Sequence, residues 1–362
     1  MAKYKIEVFS KNGVALGDIS ALVSGLAWSK TRNDAESVEF ELDLLQFEKY
    51  IRKIGFEKNP FEFLEAGRSE IKLCRNNKPL LVALVQKLDY SITTNGAKIK
   101  VSAYGYLNFY KTIYHDINFM NTPQQEILWR TIEEINQKPG GDCGIRRGEH
   151  IGKTVKRDRN FKRKEVKSFI QQMSEVIGGV DFEITPEKKF NTYDAIGVYR
   201  PDVRLEFPKN IGSVKFPRSI NSTFNFIYGI GSGNGDDAIQ VSAGDSLSIS
   251  EYYRREKVAS YNSVVNVKTL DENVKAVLAA SKDIFELPSV SVGDGVLDLN
   301  KVSVGDTIVL NLDNYLSIKH ISGNYRIEAI KVSVDSNGAE NVDLTFDDLN
   351  IDNIISAQAN NE

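Results

Sequence analysis

Three side chains with the chemistry of acyl transfer stand close together in the chain: Cys143 as a thiol nucleophile, His150 as its base and Asp142 as the group that orients the imidazole. Triad members usually converge from distant segments. The stretch around these three also offers neither a helix N-terminus nor a set of oxyanion donors, so an exposed loop is the expected reading. Gly148-Glu149-His150-Ile151-Gly152-Lys153-Thr154 has the residue types of a phosphate cradle, but three residues separate its glycines where the cradle needs four. The CGIRRG before it is too short and too charged for the buried strand that delivers such a loop. Gly229, Gly231, Gly233 and Gly235 follow the strand-like FNFIYG, yet no glycine stands three after Gly231 and no amphipathic helix follows. A flexible strand-to-strand connection is expected there.

His115 and His320 are isolated, and the sequence has no HExxH, DxDxDG or Cys-x-x-Cys spacing, so no metal site is expected. Nothing points at a pair of catalytic carboxylates, and the expectation is a chain without catalytic, cofactor-binding or metal-binding residues. Cys74 and Cys143 are the only cysteines, too few for a disulfide framework or a four-thiolate zinc site. They suit maturation in a reducing cytoplasm. Residues 145–167 hold ten Lys/Arg against Glu149, Asp158 and Glu165, an excess of +7 in a chain whose net charge is −3. That run has the charge to grip phosphates, but Phe161 is its only interleaved aromatic, too few for a stacking platform. A solvated loop or a salt-bridged protein contact is the preferred reading.

The elements that would hold these residues follow from patterning. With 362 residues, 41% of them hydrophobic and 26% charged, the chain is globular and long enough for two to four domains. It opens without the apolar core of a secretion signal, and no uncharged apolar run is long enough to span a membrane. Tyr4, Ile6 and Val8 alternate with polar residues before Asn12-Gly13, and Val38, Phe40, Leu42 and Leu44 alternate with acids, with Trp28 in the extended stretch before them. Residues 69–74, 80–94 and 97–104 continue the pattern, the last two joined at Asn95-Gly96. A sheet of about six strands ending near residue 115 is predicted.

Thr122-Pro123-Gln124-Gln125 then reads as a helix start, followed by Leu128, Ile132 and Ile135 and stopped by Pro139-Gly140-Gly141. A second helix over 164–177 carries Val166, Phe169, Ile170, Met173, Val176 and Ile177 on one face, and a strand over 180–185 follows. Residues 116–205 read as a small α/β domain. From Val203 the chain is again extended, interrupted by a third helix over 270–285 that starts at the capping box Thr269–Glu272 and turns Leu270, Val274, Val277, Leu278 and Phe285 inward. LVQKLDYSITTNGAKIKVSAY (84–104) and AIKVSVDSNGAENVDLTF (329–346) are both strand, Asn-Gly-Ala turn, strand, each after a short glycine-led strand. Either a β module occurs twice or two common hairpins coincide.

The order of pieces resembles the tail hub, or baseplate hub, proteins of tailed bacteriophages and related contractile injection particles. The resemblance rests on WSKTRNDAESVEFELDL near the start, the central helix pair, NSTFNFIYGIGSGNG, DSLSISEYYRREKVASYNSV before the third helix, VGDTIVLNL, and GNYRIEAIKVSVDSNGAENVDLTF. It covers nearly the whole chain and includes no invariant catalytic motif. It implies an α+β, mainly β fold: two tube-like β-barrel or sandwich domains, an intervening small α/β domain and a small insertion in the second barrel. The boundaries expected are 1–115 for the first tube-like domain, 116–205 for the α/β domain, 206–254 with 301–350 for the second tube-like domain, 255–300 for the insertion and 351–362 for a polar tail.

The same resemblance implies a structural, non-enzymatic homotrimer in the virion tail, synthesised in the host bacterial cytoplasm. Its implied partners are the tail tube or distal tail protein, the tape-measure protein and a tip, spike or fibre protein, with genomic DNA passing through the lumen unbound. Three chains with two similar barrels each would imitate the six-fold tube, and an acidic lumen wall is expected to repel DNA. Since the chain ends soon after residue 350, an enzymatic tip is expected to be a separate protein. Two other readings stay open: a cell-wall hydrolase with its site around 142–165, and a receptor-binding adhesin.

Overall fold

The computed structural model describes residues 2–56, 60–94, 96–176, 178–233, 235–261, 264–284, 288–313, 315–316 and 322–347. Its fold is α+β and mainly β. The period-two alternation of the N-terminal region produces β1 (Tyr4–Ser10), β2 (Ala15–Asp18), β3 (Val23–Thr31) and β4 (Ser37–Asp43). Helices α1 (Leu44–Lys53) and α2 (Pro60–Phe63) come next, then β5 (Ser69–Arg75), β6 (Lys78–Thr93) and β7 (Gly96–Gly105). Leu44, expected to be the last inward position of a strand, instead opens α1. The Asp43 carboxylate accepts from the Gln46 amide at 2.9 Å and caps the helix.

The middle of the chain forms β8 (Tyr114–Pro123), α3 (Gln124–Asn136), β9 (Arg146–Ile151), β10 (Lys156–Glu165), α4 (Val166–Glu175), β11 (Asp181–Ile184) and β12 (Lys189–Tyr193). Thr122 and Pro123 belong to β8, so the expected capping box does not form: the Thr122 hydroxyl donates to the Met120 carbonyl, and the Gln124 amide donates to the Val155 carbonyl. Lys164 and Glu165 end β10, and α4 buries Val166, Phe169, Ile170 and Met173 as its spacing requires; Ile177 lies outside the described residues. These side chains pack with Ile117, Phe119, Leu128, Ile132, Phe182 and Phe190 into one core that also takes in Tyr106 and Tyr110.

The remainder comprises β13 (Tyr199–Glu206), β14 (Ser213–Lys215), β15 (Phe226–Ile230), β16 (Gln240–Gly244), α5 (Ser246–Tyr252), β17 (Glu256–Ser260) and α6 (Val267–Ser281). Then follow β18 (Ser289–Val292), β19 (Thr307–Asn311), β20 (Gly323–Val334) and β21 (Glu340–Asp347). Helix α6 starts before the expected Thr269, because Asn266 is its cap and accepts from the Lys268 amide at 2.8 Å. Leu270 and Val274 are buried, Val277 and Leu278 are half-buried, and Phe285 lies outside the described residues.

Two compact units result. The second, Lys215–Ser289, holds the three-stranded sheet β16-β15-β17 with α6 against it. Gly229 of β15 lets the helix come close: a Cβ there would sit 2.2 Å from Val274 of α6. The first unit, Met1–Val214 with Val290–Asp347, is built on one 13-stranded sheet. Within that sheet the order β3-β4-β7-β6-β5 recurs as β14-β18-β21-β20-β19, the same permutation of five consecutive sheet strands. Even the irregularity repeats. Gln86 interrupts the β6–β7 register and Glu328 the β20–β21 register, each nine positions before the asparagine of its Asn-Gly-Ala. An extra residue is a placed feature that bends and twists a strand, so matching bulges identify one module built twice. Asn95 itself lies outside the described residues, although both strands it joins are described. The second loop is longer, with the Asp335 carboxylate accepting from the Asn337 and Ala339 amides.

Candidate assembly site

The two modules share a seam. β3 runs antiparallel to β20, with Thr31 opposite Ala329 and Ala27 opposite Ser333, so both halves belong to one continuous sheet. At one end of this seam the β3–β4 turn delivers Arg32 and Asn33. Asn33 has φ +56°, a conformation that asparagine tolerates because its short side chain bonds locally. Its carbonyl accepts from the Phe182 amide at 2.8 Å and its amide donates to Asp181 at 2.6 Å. Arg32 donates to Glu328 at 2.8 Å, to Asp181 at 3.1 Å and to Asp347.

Arg326 closes the cluster, donating to the other Asp181 oxygen at 2.6 Å and to the Ile196 carbonyl at 2.8 Å. Asp181 is 5% exposed and Arg326 6%. Burial alone would raise the Asp181 carboxyl, but Arg32 and Arg326 outweigh it and hold the group below the usual carboxylate range. Burial pushes Glu328 the other way, above that range, despite Arg32. The cluster ties the first module, the α/β segment and the second module at one point. Removing one partner of such a buried pair is strongly destabilising, because it leaves an uncompensated charge in the interior.

A second anchor holds the opposite end of the seam. Arg75 of β5 donates to both Glu340 oxygens, at 2.7 and 2.6 Å, in the bidentate geometry that suits a guanidinium. Tyr4 donates to the same carboxylate while accepting from the Trp28 indole at 2.9 Å. Burial and the Glu340 contact push the Tyr4 hydroxyl up. Gly197 and Gly305, both at positive φ, make a third close approach: a Cβ on Gly197 would lie 2.0 Å from the Gly305 carbonyl carbon.

Several strand edges are left over among the described residues: β2 ends one side of the sheet and β13 pairs only with β19. β14 ends the path of the sheet, and β5 pairs with β6 only as far as Leu84, after which no strand follows that side of β6 among the described residues. Nearby, Ile92 is 75% exposed. The polar face of the continuous sheet carries Glu39, Glu41, Asp43, Asp89 and Asp343 against Lys87, Lys98, Lys100 and Lys331. Cross-strand pairs Lys98–Glu41 at 2.9 Å and Lys100–Glu39 at 3.1 Å neutralise part of it.

The residues singled out for acyl transfer are not assembled. His150 on β9 bonds Thr192 at 3.0 Å and the Lys153 carbonyl at 3.3 Å, whereas Cys143 lies against the Tyr110 hydroxyl and Asp142 is bound to Arg146. Burial pushes the Cys143 thiol up, opposite to what a thiolate nucleophile needs. Gly148–Ile151 belong to β9, and Gly152–Thr154 lie on the connection from β9 to the extended β10; the segment does not lead into a helix. Gly231 and Gly233 do lie on a strand-to-strand connection, between β15 and β16.

The basic run forms β9 and β10, and much of its charge is spent within the protein. Arg147 pairs with Glu126, Lys162 with Asp116 and Lys167 with Asp34, while Arg157 donates to Gln124 and to the Gly178 carbonyl. His115 bonds Glu134 and Lys138; His320 lies outside the described residues. Among the described residues no cluster of three His, Cys, Asp or Glu could hold a metal ion, and no helix is long and apolar enough to cross a membrane. The Arg32–Asp181–Arg326 cluster was not anticipated. Arg32-Asn33 between two alternating runs marks a turn, but nothing local to Asp181 announces its partners.

No protein-family model and no curated protein matches the sequence. Solved structures do match. A tail protein from Neisseria meningitidis MC58 aligns with 98% of this chain and 99% of its own at a TM-score of 0.67 and 11% identity. The 43 kDa tail protein of prophage MuSo2 from Shewanella oneidensis aligns with 96% of this chain and 99% of its own at 0.64 and 12%. A prophage tail protein from Listeria monocytogenes EGD-e aligns with 98% of both chains at 0.58 and 14%. Over nearly its whole length, this chain has the fold of phage tail proteins.

Proposed function

We propose that the chain is the structural hub of a phage or phage-derived tail, a homotrimer that adapts a six-fold tube to a three-fold tip. The observation that carries this reading is the five-strand module built twice in one sheet, with its bulge in the same place. Three copies then present six equivalent modules, the number a six-fold tube or distal tail protein requires, and ring closure covers strand edges that would otherwise recruit other chains. In this reading the tape-measure protein ends near the lumen and the tip, spike or fibre protein takes the three-fold face. The α/β segment 116–205 decorates the ring, and the unit 215–289 is an insertion between β14 and β18 of the second module.

If this face of β4, β6, β7, β20 and β21 is the channel wall, each chain brings Glu39, Glu41, Asp43, Asp89 and Asp343 against Lys87, Lys98, Lys100 and Lys331 to it. Carboxylates then outnumber lysines at these positions, in the direction of the acidic lumen wall expected to repel DNA. Light scattering on the purified chain tests the assembly: three chain masses, with ring-shaped particles by negative stain, is the expected result. A monomer at all accessible concentrations would overturn it.

A further inference from the structure

We infer that neighbouring copies join strand to strand, β6 of one copy lying along β14 of the next in the antiparallel manner of the β20–β3 seam. This inference rests on the ring reading and adds the surfaces that make the ring. The repeated order maps β6 onto β20 and β14 onto β3. Counting from the shared bulge, Lys87, Asp89 and Ser91 take the places of Ala329, Lys331 and Ser333 on the polar face. In the second module those places are lined by β3 of the same chain, from Thr31 to Ala27. Among the described residues, the corresponding side of β6 in the first module has no strand beyond Leu84, and β14, the counterpart of β3, has none beyond β18.

One seam of each kind is therefore satisfied within the chain, and among the described residues its equivalent lacks a donor strand, which a second copy supplies. The contact is head to tail: the surface given differs from the surface received, so successive copies advance by a rotation, and a rotation of one third of a turn closes three copies into the ring. β14 spans Ser213–Lys215 while β3 spans Val23–Thr31. A short edge strand is what an isolated subunit uses to avoid indiscriminate pairing, and it lengthens when a partner arrives.

Two measurements test this. Ser91→Cys combined with Ser213→Cys, and separately with Val214→Cys, samples both side-chain orientations of β14. Under oxidation one of the two combinations is expected to give covalent dimers and trimers on a non-reducing gel. The single variants, and Ser91→Cys with Ala15→Cys on the β2 edge, should give none. Independently, in the unmodified chain, hydrogen exchange at residues 87–93 and 213–214 should be about tenfold or more slower in the trimer than in a dilute monomer. A trimer by light scattering with no cross-link and no protection at these strands overturns the pairing and leaves the ring reading standing. No trimer at all overturns both.

Discussion

Replacing Asp181 with asparagine keeps the shape of the side chain and removes the charge on which two guanidiniums converge. Arg326 at 2.6 Å and Arg32 at 3.1 Å lose a charged acceptor, and an amide NH2 is turned toward one of the donors. Hydrogen bonds to charged groups contribute about 1.5–3 kcal/mol each, and breaking a buried pair costs about 3–5 kcal/mol. Arg32 keeps Glu328 and Asp347, which places Asp181→Asn near the lower end, at about 3 kcal/mol. Both tryptophans, Trp28 and Trp129, lie in the first unit, so urea unfolding followed by tryptophan fluorescence reports that unit alone.

The pH dependence has a definite sign. Asp181 is depressed in the fold, so its contribution is complete above the unfolded value of about 3.9 and fades as pH falls through the lower folded value. Glu328 is raised, so its own contribution is present below about 4.3 and is lost as pH rises, which partly offsets the acid loss. The gap between wild type and Asp181→Asn should therefore be constant above about pH 5 and narrow below about pH 4. Glu41→Gln, which breaks the exposed Lys98 pair, serves as control and should cost no more than about 1 kcal/mol. If Asp181→Asn costs no more than that control, the cluster does not hold the three segments together.

Other outcomes follow from the same geometry. Glu340→Gln leaves Arg75 with a weaker acceptor and releases Tyr4, so it should destabilise the first unit by about 3 kcal/mol in the same unfolding assay. Gly197→Ala drives a methyl into the Gly305 backbone and should cost well beyond the roughly 1–2 kcal/mol that positive φ alone imposes. Gly295→Ala, at φ +76° in open space, should cost only that amount. Cys143, half-buried with a raised thiol, should react with a thiol reagent at neutral pH far more slowly in the folded chain than in urea. Rapid labelling of the native protein would contradict its placement.

What the sequence made legible was periodicity. Alternation located β4, β5, β6, β7 and β11, and the apolar spacing of 166–173 located α4, because one-sided burial writes itself directly into residue order. Helix starts fared worse. Thr122 and Thr269 have the right side chains for caps, but β8 claimed the first, and Asn266 capped α6 ahead of the second. The Asp43–Gln46 signal was present and passed over because Leu44 also continued the strand alternation. The extended state of the basic β10 had no local signal: its pairing with β8 places Arg157 and Arg159 against the core, where their stems are covered. The seam was out of reach of sequence reading, since its partners are almost the whole chain apart.

That last separation has a consequence for biosynthesis. Arg32 bonds Glu328 across 296 positions, so at a translation rate of about 5–20 residues per second the N-terminal module waits on the order of 15–60 s for its companion strand to be made. Throughout that interval the outer edge of β3 lies open on the nascent polypeptide, and contacts of such long range also form slowly once the ribosome has let go. The finished joint is thus among the last features to appear, and a truncation anywhere before β20 would release a product with a raw, adhesive border.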